Sequence, residues 1–159
     1  MQFRKATIHD LEEICQLRKQ LANDSEDKLT TEYAPYCEKR DRPFIAKCLR
    51  AKKKIILVAE EENKILAHAI IMIEEIPSKI RPYYTYHKKA LLVHLYVDKN
   101  KRRQGIGKAL TQFCLEYLKK QNVEFLDLEC YAYNKKASNL YNKLGFLDVF
   151  TTKRFTLKS

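Results

Sequence analysis

Residues 102–110 read Arg102-Arg103-Gln104-Gly105-Ile106-Gly107-Lys108-Ala109-Leu110 and hold two of the three glycines in a chain of 159 residues. Before them runs the apolar stretch Leu91-Leu92-Val93-His94-Leu95-Tyr96-Val97; after them Ile106, Leu110, Phe113 and Tyr117, with Ala109 and Leu118, recur at helical intervals. Strand, glycine turn and helix in that order allow the free N–H groups of a helix N-terminus to face an anion. Glycine suits such a turn because a Cβ would restrict the backbone angles and block close approach of a phosphate. Arg102, Arg103 and Lys108 add positive charge. The loop is not a Walker A motif, since Arg102 stands where its first glycine belongs and Ala109 follows Lys108. Nor is it G-x-G-x-x-G, because Leu110 occupies the third glycine position.

Working outward, Phe3 to Ala6 reads as a first strand, and Thr7 and Asp10 can cap a helix with apolar spacing from Leu11 to about Ala22. A polar segment, Asn23 to Cys37, precedes a second helical pattern at Phe44, Ile45, Cys48 and Leu49. Two β-branched runs, Ile55 to Ala59 and Ile65 to Ile73, flank a short polar turn and predict an antiparallel pair. Beyond the helix at Ile106 the pattern gives a strand from Phe125 to Tyr131, a helix through Ala137, Leu140 and Leu144, and a hairpin-like β segment from Phe146 to Leu157. The sum is an α+β chain with a mixed sheet. No repeat or linker divides it, so a single domain, 1–159, is expected.

The net charge of +11 favours polyanionic partners without choosing among nucleic acid, membrane surface and phosphorylated small molecule. No apolar stretch is long enough to span a bilayer and no secretory leader is visible, so a cytoplasmic protein without a membrane partner is expected. Five cysteines, with no C-x-x-C pair and no zinc-like histidine spacing, read as reduced thiols, and no metal is expected.

The segment Arg102-x-x-Gly105-x-Gly107, after a strand ending Leu95-Tyr96-Val97-Asp98, resembles the phosphate loop of the Gcn5-related N-acetyltransferases. A second motif agrees: Asn134-x-x-Ala137-x-x-Leu140-Tyr141-x-Lys143-x-Gly145-Phe146 is similar to the segment after that family's fifth strand. The resemblance implies a β-α-α-β-β-β-α-β-α-β-β order in α/β/α layers, the mostly antiparallel central sheet splaying between its fourth and fifth strands to take acetyl-CoA. Main-chain groups of Leu95, Tyr96 and Val97 would then bond the pantetheine arm. Arg102, Arg103, Gln104, Gly105, Ile106, Gly107 and Lys108 would cradle the pyrophosphate, Asn134 would bond near the arm, and Tyr141 would face the sulfur.

Acyl transfer to an amine needs a neutral nucleophile and a protonated leaving thiol. A phenol, ordinarily titrating near 10, can protonate a thiolate, which makes Tyr141 a candidate general acid; the alternative is a packed tyrosine with its hydroxyl in water. Asn134 can equally be a helix N-cap. The fourth strand offers no carboxylate as base, and its candidate is His94, which alternation puts on one face with Tyr96, opposite Val93 and Leu95. His94 can also be a packed histidine, and His68 and Glu74 are weaker candidates. The acceptor implied is a primary amine of a small molecule or peptide, drawn by the acidic residues Asp24, Glu26, Asp27 and Glu32, with Tyr33, Tyr36, Tyr83, Tyr84 and Tyr86 as candidate pocket walls. Second in rank stands a basic RNA-binding module, or acetyl transfer to an RNA-borne amine: the charge favours it, but no nucleic-acid-reading motif appears. A homodimer is left open.

Overall fold

The computed structural model describes residues 1–24 (the side chain of Asp24 apart), 36–153 and 155. Its elements are β1 (Gln2–Lys5), α1 (Leu11–Asp24), α2 (Glu38–Arg50), β2 (Lys54–Glu61), β3 (Lys64–Glu75), β4 (Lys88–Val97), α3 (Ile106–Lys120), β5 (Phe125–Leu128) and α4 (Lys135–Lys143). The chain forms two compact units, Met1–Glu129 and Cys130–Ser159. The acidic residues Glu26, Asp27 and Glu32, the side chain of Asp24, and Tyr33 lie outside the described residues.

In the first unit, five strands lie in chain order, β1 to β4 antiparallel and β5 parallel to β4. Glu62 and Asn63 link β2 to β3 with φ of 52° and 59°, the paired left-handed geometry of a two-residue hairpin whose twist matches its strands. At the start of the chain, Asp10 accepts bonds from the backbone and hydroxyl of Thr7 and a bidentate pair from Arg4, fixing the entry to α1. These bonds, led by Arg4, hold the Asp10 carboxyl at about 2.

Alternation sorts the strands' side chains onto two faces. Ile56, Val58, Ile70 and Tyr96 form one core with Ile14 and Leu17 of α1 and Ile45 and Cys48 of α2. On the other face Leu57, Ala69, Ile71 and Leu92 are buried, and α3 packs on β2, β3 and β4. Ile106, Leu110, Cys114 and Leu118 recur every four residues and are all buried, so α3 presents one continuous apolar stripe. Full burial of each aliphatic side chain contributes about 1.5–3 kcal/mol. The α/β/α layering follows from these two cores.

The first nine elements expected through α4 are present in the expected order, but most boundaries shift by one to a few residues and one element differs. β5 ends at Leu128, not Tyr131, because Tyr131 turns out of the strand and stacks at 5.2 Å on Tyr133. Helix α2 begins at Glu38, directly after the polar segment and six residues before Phe44, where the apolar periodicity starts, since charged residues in its first turns mask the pattern. The hairpin expected from Phe146 to Leu157 is not seen: residues 146–153 and 155 carry no strand. Leu147 and Phe150, 84% and 95% exposed, show why apolar alternation misleads there. A strand needs a partner, and local pattern does not supply one.

Candidate active site

The fourth strand and the loop after it carry most of the expected residues. β5 pairs with β4 only from Lys89↔Phe125 to Leu92↔Leu128, whereas β4 continues to Val97 along β3. From Val93 to Val97 the β5-side edge of β4 therefore has no strand partner among the described residues. Leu95, Tyr96 and Val97 lie on that edge.

Asp98 accepts a bond from the Asn100 N–H and starts a 3-10 turn at Lys99–Lys101. Arg102 then folds back, donating from Nε to the Val97 carbonyl at 3.2 Å and laying its guanidinium 5.1 Å above the ring of Tyr96. Arg103, at φ 64°, and Gly105, at φ 80°, turn the chain into α3. Gly105 is the N-cap and offers no side chain to the helix's first N–H groups. A Cβ added there would meet nothing within 4 Å among the described residues, so glycine answers to the left-handed backbone and not to lack of room. Gly107 sits in the first turn of α3, its carbonyl accepting from Thr111 Oγ1 at 2.8 Å. Ile106 is buried and anchors the turn, while Arg102, Arg103, Gln104 and Lys108 are exposed around it. Helix N–H groups without a side-chain cap, beside exposed cations, suit a polyanion chemically.

His94 and Tyr96 do share a face, the one covered by α1 and α2. A bulge leaves Val93 as the extra residue between His94↔Ile70 and Leu92↔Ile71, and Val93 packs against the same core, so strict alternation fails there. Tyr96 is buried and its hydroxyl bonds Gln20 of α1, whose amide nitrogen donates to Asp98. Burial, then the charge of Arg18, lower His94 to about 4, with Asp41 opposing. His68, fully buried on β3, is lowered to about 3 by burial, then by His94 and Arg18. Asp41 is buried on α2; burial would raise it, but the Cys37 N–H, Arg40 and Arg18 hold it below the usual carboxylate range. No sequence signal links Arg18, Asp41, His68 and His94, which meet only through packing.

In the second unit, Asn134 is the N-cap of α4: its Oδ1 accepts the Ala137 N–H at 3.1 Å. The far end of α4 explains the spacing Tyr141-x-x-x-Gly145-Phe146. Phe146 N–H donates to the Tyr141 carbonyl, Gly145 N–H to that of Asn142, and Gly145 takes φ 88°. This is a Schellman cap, with the rings of Tyr141 and Phe146 edge-to-face at 5.5 Å supplying its apolar contact. The motif thus fixes the half-buried ring of Tyr141. Elsewhere, Tyr36 bonds Glu38, and Tyr84 and Tyr86 cluster with Phe125 beside the start of β4. The latter group, with exposed Tyr83, is at the opposite end of β4 from Arg102. Among the described residues no cluster of histidine, cysteine or carboxylate could hold a metal, and no helix is long and apolar enough to cross a membrane.

The family model described as "Acetyltransferase (GNAT) family" matches residues 15–146. The chain belongs to this family. An N-alpha-acetyltransferase of Sulfurisphaera tokodaii is 32% identical over 113 residues, 70% of this chain and 68% of that protein. The [ribosomal protein bS18]-alanine N-acetyltransferase of Escherichia coli K12 is 41% identical over 58 residues, 36% of this chain and 39% of its own. Among solved structures, a tetramutant of the BH1408 protein of Bacillus halodurans superposes with a TM-score of 0.87 at 24% identity, over 99% of this chain and 100% of that one. The GNAT assignment makes this chain an acetyltransferase, and Gly105, Gly107 and the Tyr141 segment fall within the matched residues.

Proposed function

We propose that this GNAT enzyme transfers an acetyl group from acetyl-CoA to the α-amino group of a peptide, within one domain spanning both units. The carrying observation is the open N-terminus of α3, with Gly105 left-handed and Arg102, Arg103 and Lys108 around it, beside the unpaired edge of β4. Those features fit a pyrophosphate and a pantetheine arm. The family match running across the unit boundary supports reading 1–159 as one domain. Acetyl-CoA supplies the activated acyl group as a thioester.

Arg102 to Lys108 bind the phosphates, and main-chain groups of Leu95, Tyr96 and Val97 align the arm. Asn134 Oδ1 is engaged in its cap, which assigns the arm contact to its amide nitrogen. As the amine nitrogen bonds to the acyl carbon, His94 takes the proton the nitrogen gives up. As the carbon–sulfur bond breaks, the Tyr141 hydroxyl gives its proton to the departing sulfur and is reprotonated from solvent. His94 is neutral at physiological pH and, as a weak base, suits an amine that is already partly deprotonated. Neutralising a lysine amine of pKa about 10.4 at pH 7 costs about 4.6 kcal/mol, an α-amine near 7.8 only about 1 kcal/mol. The names of the S. tokodaii and E. coli relatives point the same way.

Thiol release from acetyl-CoA, measured against alanine- and serine-initiated peptides, an N-acetylated lysine peptide and an aminoglycoside, tests the reading. Turnover with a free N-terminus, lost when that terminus is blocked, supports it. Turnover with only the lysine side chain or the aminoglycoside overturns the acceptor assignment. The five free thiols accord with a cytoplasmic protein.

A further inference from the structure

His68 has no exposed surface, and neither of its ring nitrogens has a hydrogen-bond partner among the described residues. A neutral imidazole carries one donor and one acceptor, and leaving either buried and unbonded costs about 1–3 kcal/mol. An apolar side chain of similar size would pack beside Val58 without that cost. The register puts His68 directly opposite Tyr96, their rings 6.3 Å apart, and diagonal to His94 on the same face. Diagonal neighbours stand about 7–8 Å apart, within reach of long side chains, yet neither His68 nitrogen bonds His94 directly, and one water between the rings would meet both. Arg18 of α1 acts on both imidazoles and Asp41 of α2 on His94, and Tyr96 of β4 lies against His68.

We propose that His68 is a positioning residue for His94, tied to it by one buried water. The water accepts the His94 N–H and donates to the unprotonated nitrogen of His68. His94 is thereby held in one tautomer with its other nitrogen aimed at the acceptor amine. When His94 takes the amine's proton, the water still accepts from the ring, and no proton moves to His68. This rests on His94 being the base.

Four chains decide it: His68→Leu, His68→Gln, His94→Gln and the double variant His68→Leu/His94→Gln, assayed with acetyl-CoA and whichever amine the acceptor panel identifies. Expected are a roughly tenfold lower kcat for His68→Leu with acetyl-CoA affinity unchanged, recovery in His68→Gln, whose amide can bond the same water, and a double variant no slower than His94→Gln. Wild-type kcat in His94→Gln would instead remove the base assignment itself. A slow His94→Gln beside a wild-type His68→Leu would overturn the positioning role alone. Nitrogen NMR of the unmodified protein needs neither acceptor nor variant: a single fixed tautomer of His94 supports the link, and a mixture of tautomers overturns it.

Discussion

Replacing His68 with leucine should flatten the acid side of the stability profile. The folded ring titrates at about 3 and the ordinary value is 6.5, so between those limits the unfolded chain binds a proton that the folded chain refuses. Depression of the folded value means the full stability is present above 6.5 and is lost progressively as pH falls toward 3. At pH 5 the unfolded ring is about 1.5 pH units below its titration point and almost wholly protonated, while the folded ring stays neutral. At 1.36 kcal/mol per unit the loss between pH 7.5 and 5 is about 2 kcal/mol. That figure depends on the unfolded ring, and any folded value well below 5 gives it. Urea unfolding of both chains at pH 7.5, 6.5 and 5 measures the difference, followed by far-UV circular dichroism because the chain has no tryptophan. The carboxylates common to both chains cancel in the comparison. Parallel pH profiles for the two chains would refute the reasoning, since His68 would then titrate alike folded and unfolded.

Three further outcomes follow from the same geometry. Gly105→Ala should lower stability by about 1–2 kcal/mol through its left-handed φ alone, because the new Cβ meets no neighbour; an unchanged urea midpoint would contradict that backbone assignment. Asn134→Ala removes the cap of α4 and should cost about 1 kcal/mol locally, read as roughly fivefold faster amide exchange across Lys135–Lys143. Tyr141→Phe keeps the ring contact with Phe146 and should lower kcat while leaving acetyl-CoA affinity near wild type; undiminished turnover would remove Tyr141 from proton transfer.

The elements that position the Arg102–Lys108 loop are legible because their causes are local. The apolar run of β4, the glycine turn and the four-residue stripe of α3 each state their structure within a few residues, whereas the capping role of Gly145-Phe146 shows only in the structure. The Asn134 cap was legible as one of two readings. What escaped depends on distant partners. The bulge at Val93 arises from pairing with β3, and the Arg102–Tyr96 stack requires the loop to fold back onto its own strand. The polar group of Arg18, Asp41, His68 and His94 draws one residue from each of four elements. The C-terminal β segment was misread for the same reason: Leu147, Val149 and Phe150 have the composition of a strand, but pairing is not encoded in their spacing.

Calorimetric titration of the protein with acetyl-CoA, desacetyl-CoA and ATP tests the central claim that the α3 N-terminus and the open edge of β4 form an acyl-CoA site. Micromolar binding of both CoA species is expected, with much weaker binding of ATP, which shares the phosphates but lacks the arm that β4 would hold. Equal binding of all three, or none by a folded sample, would contradict it.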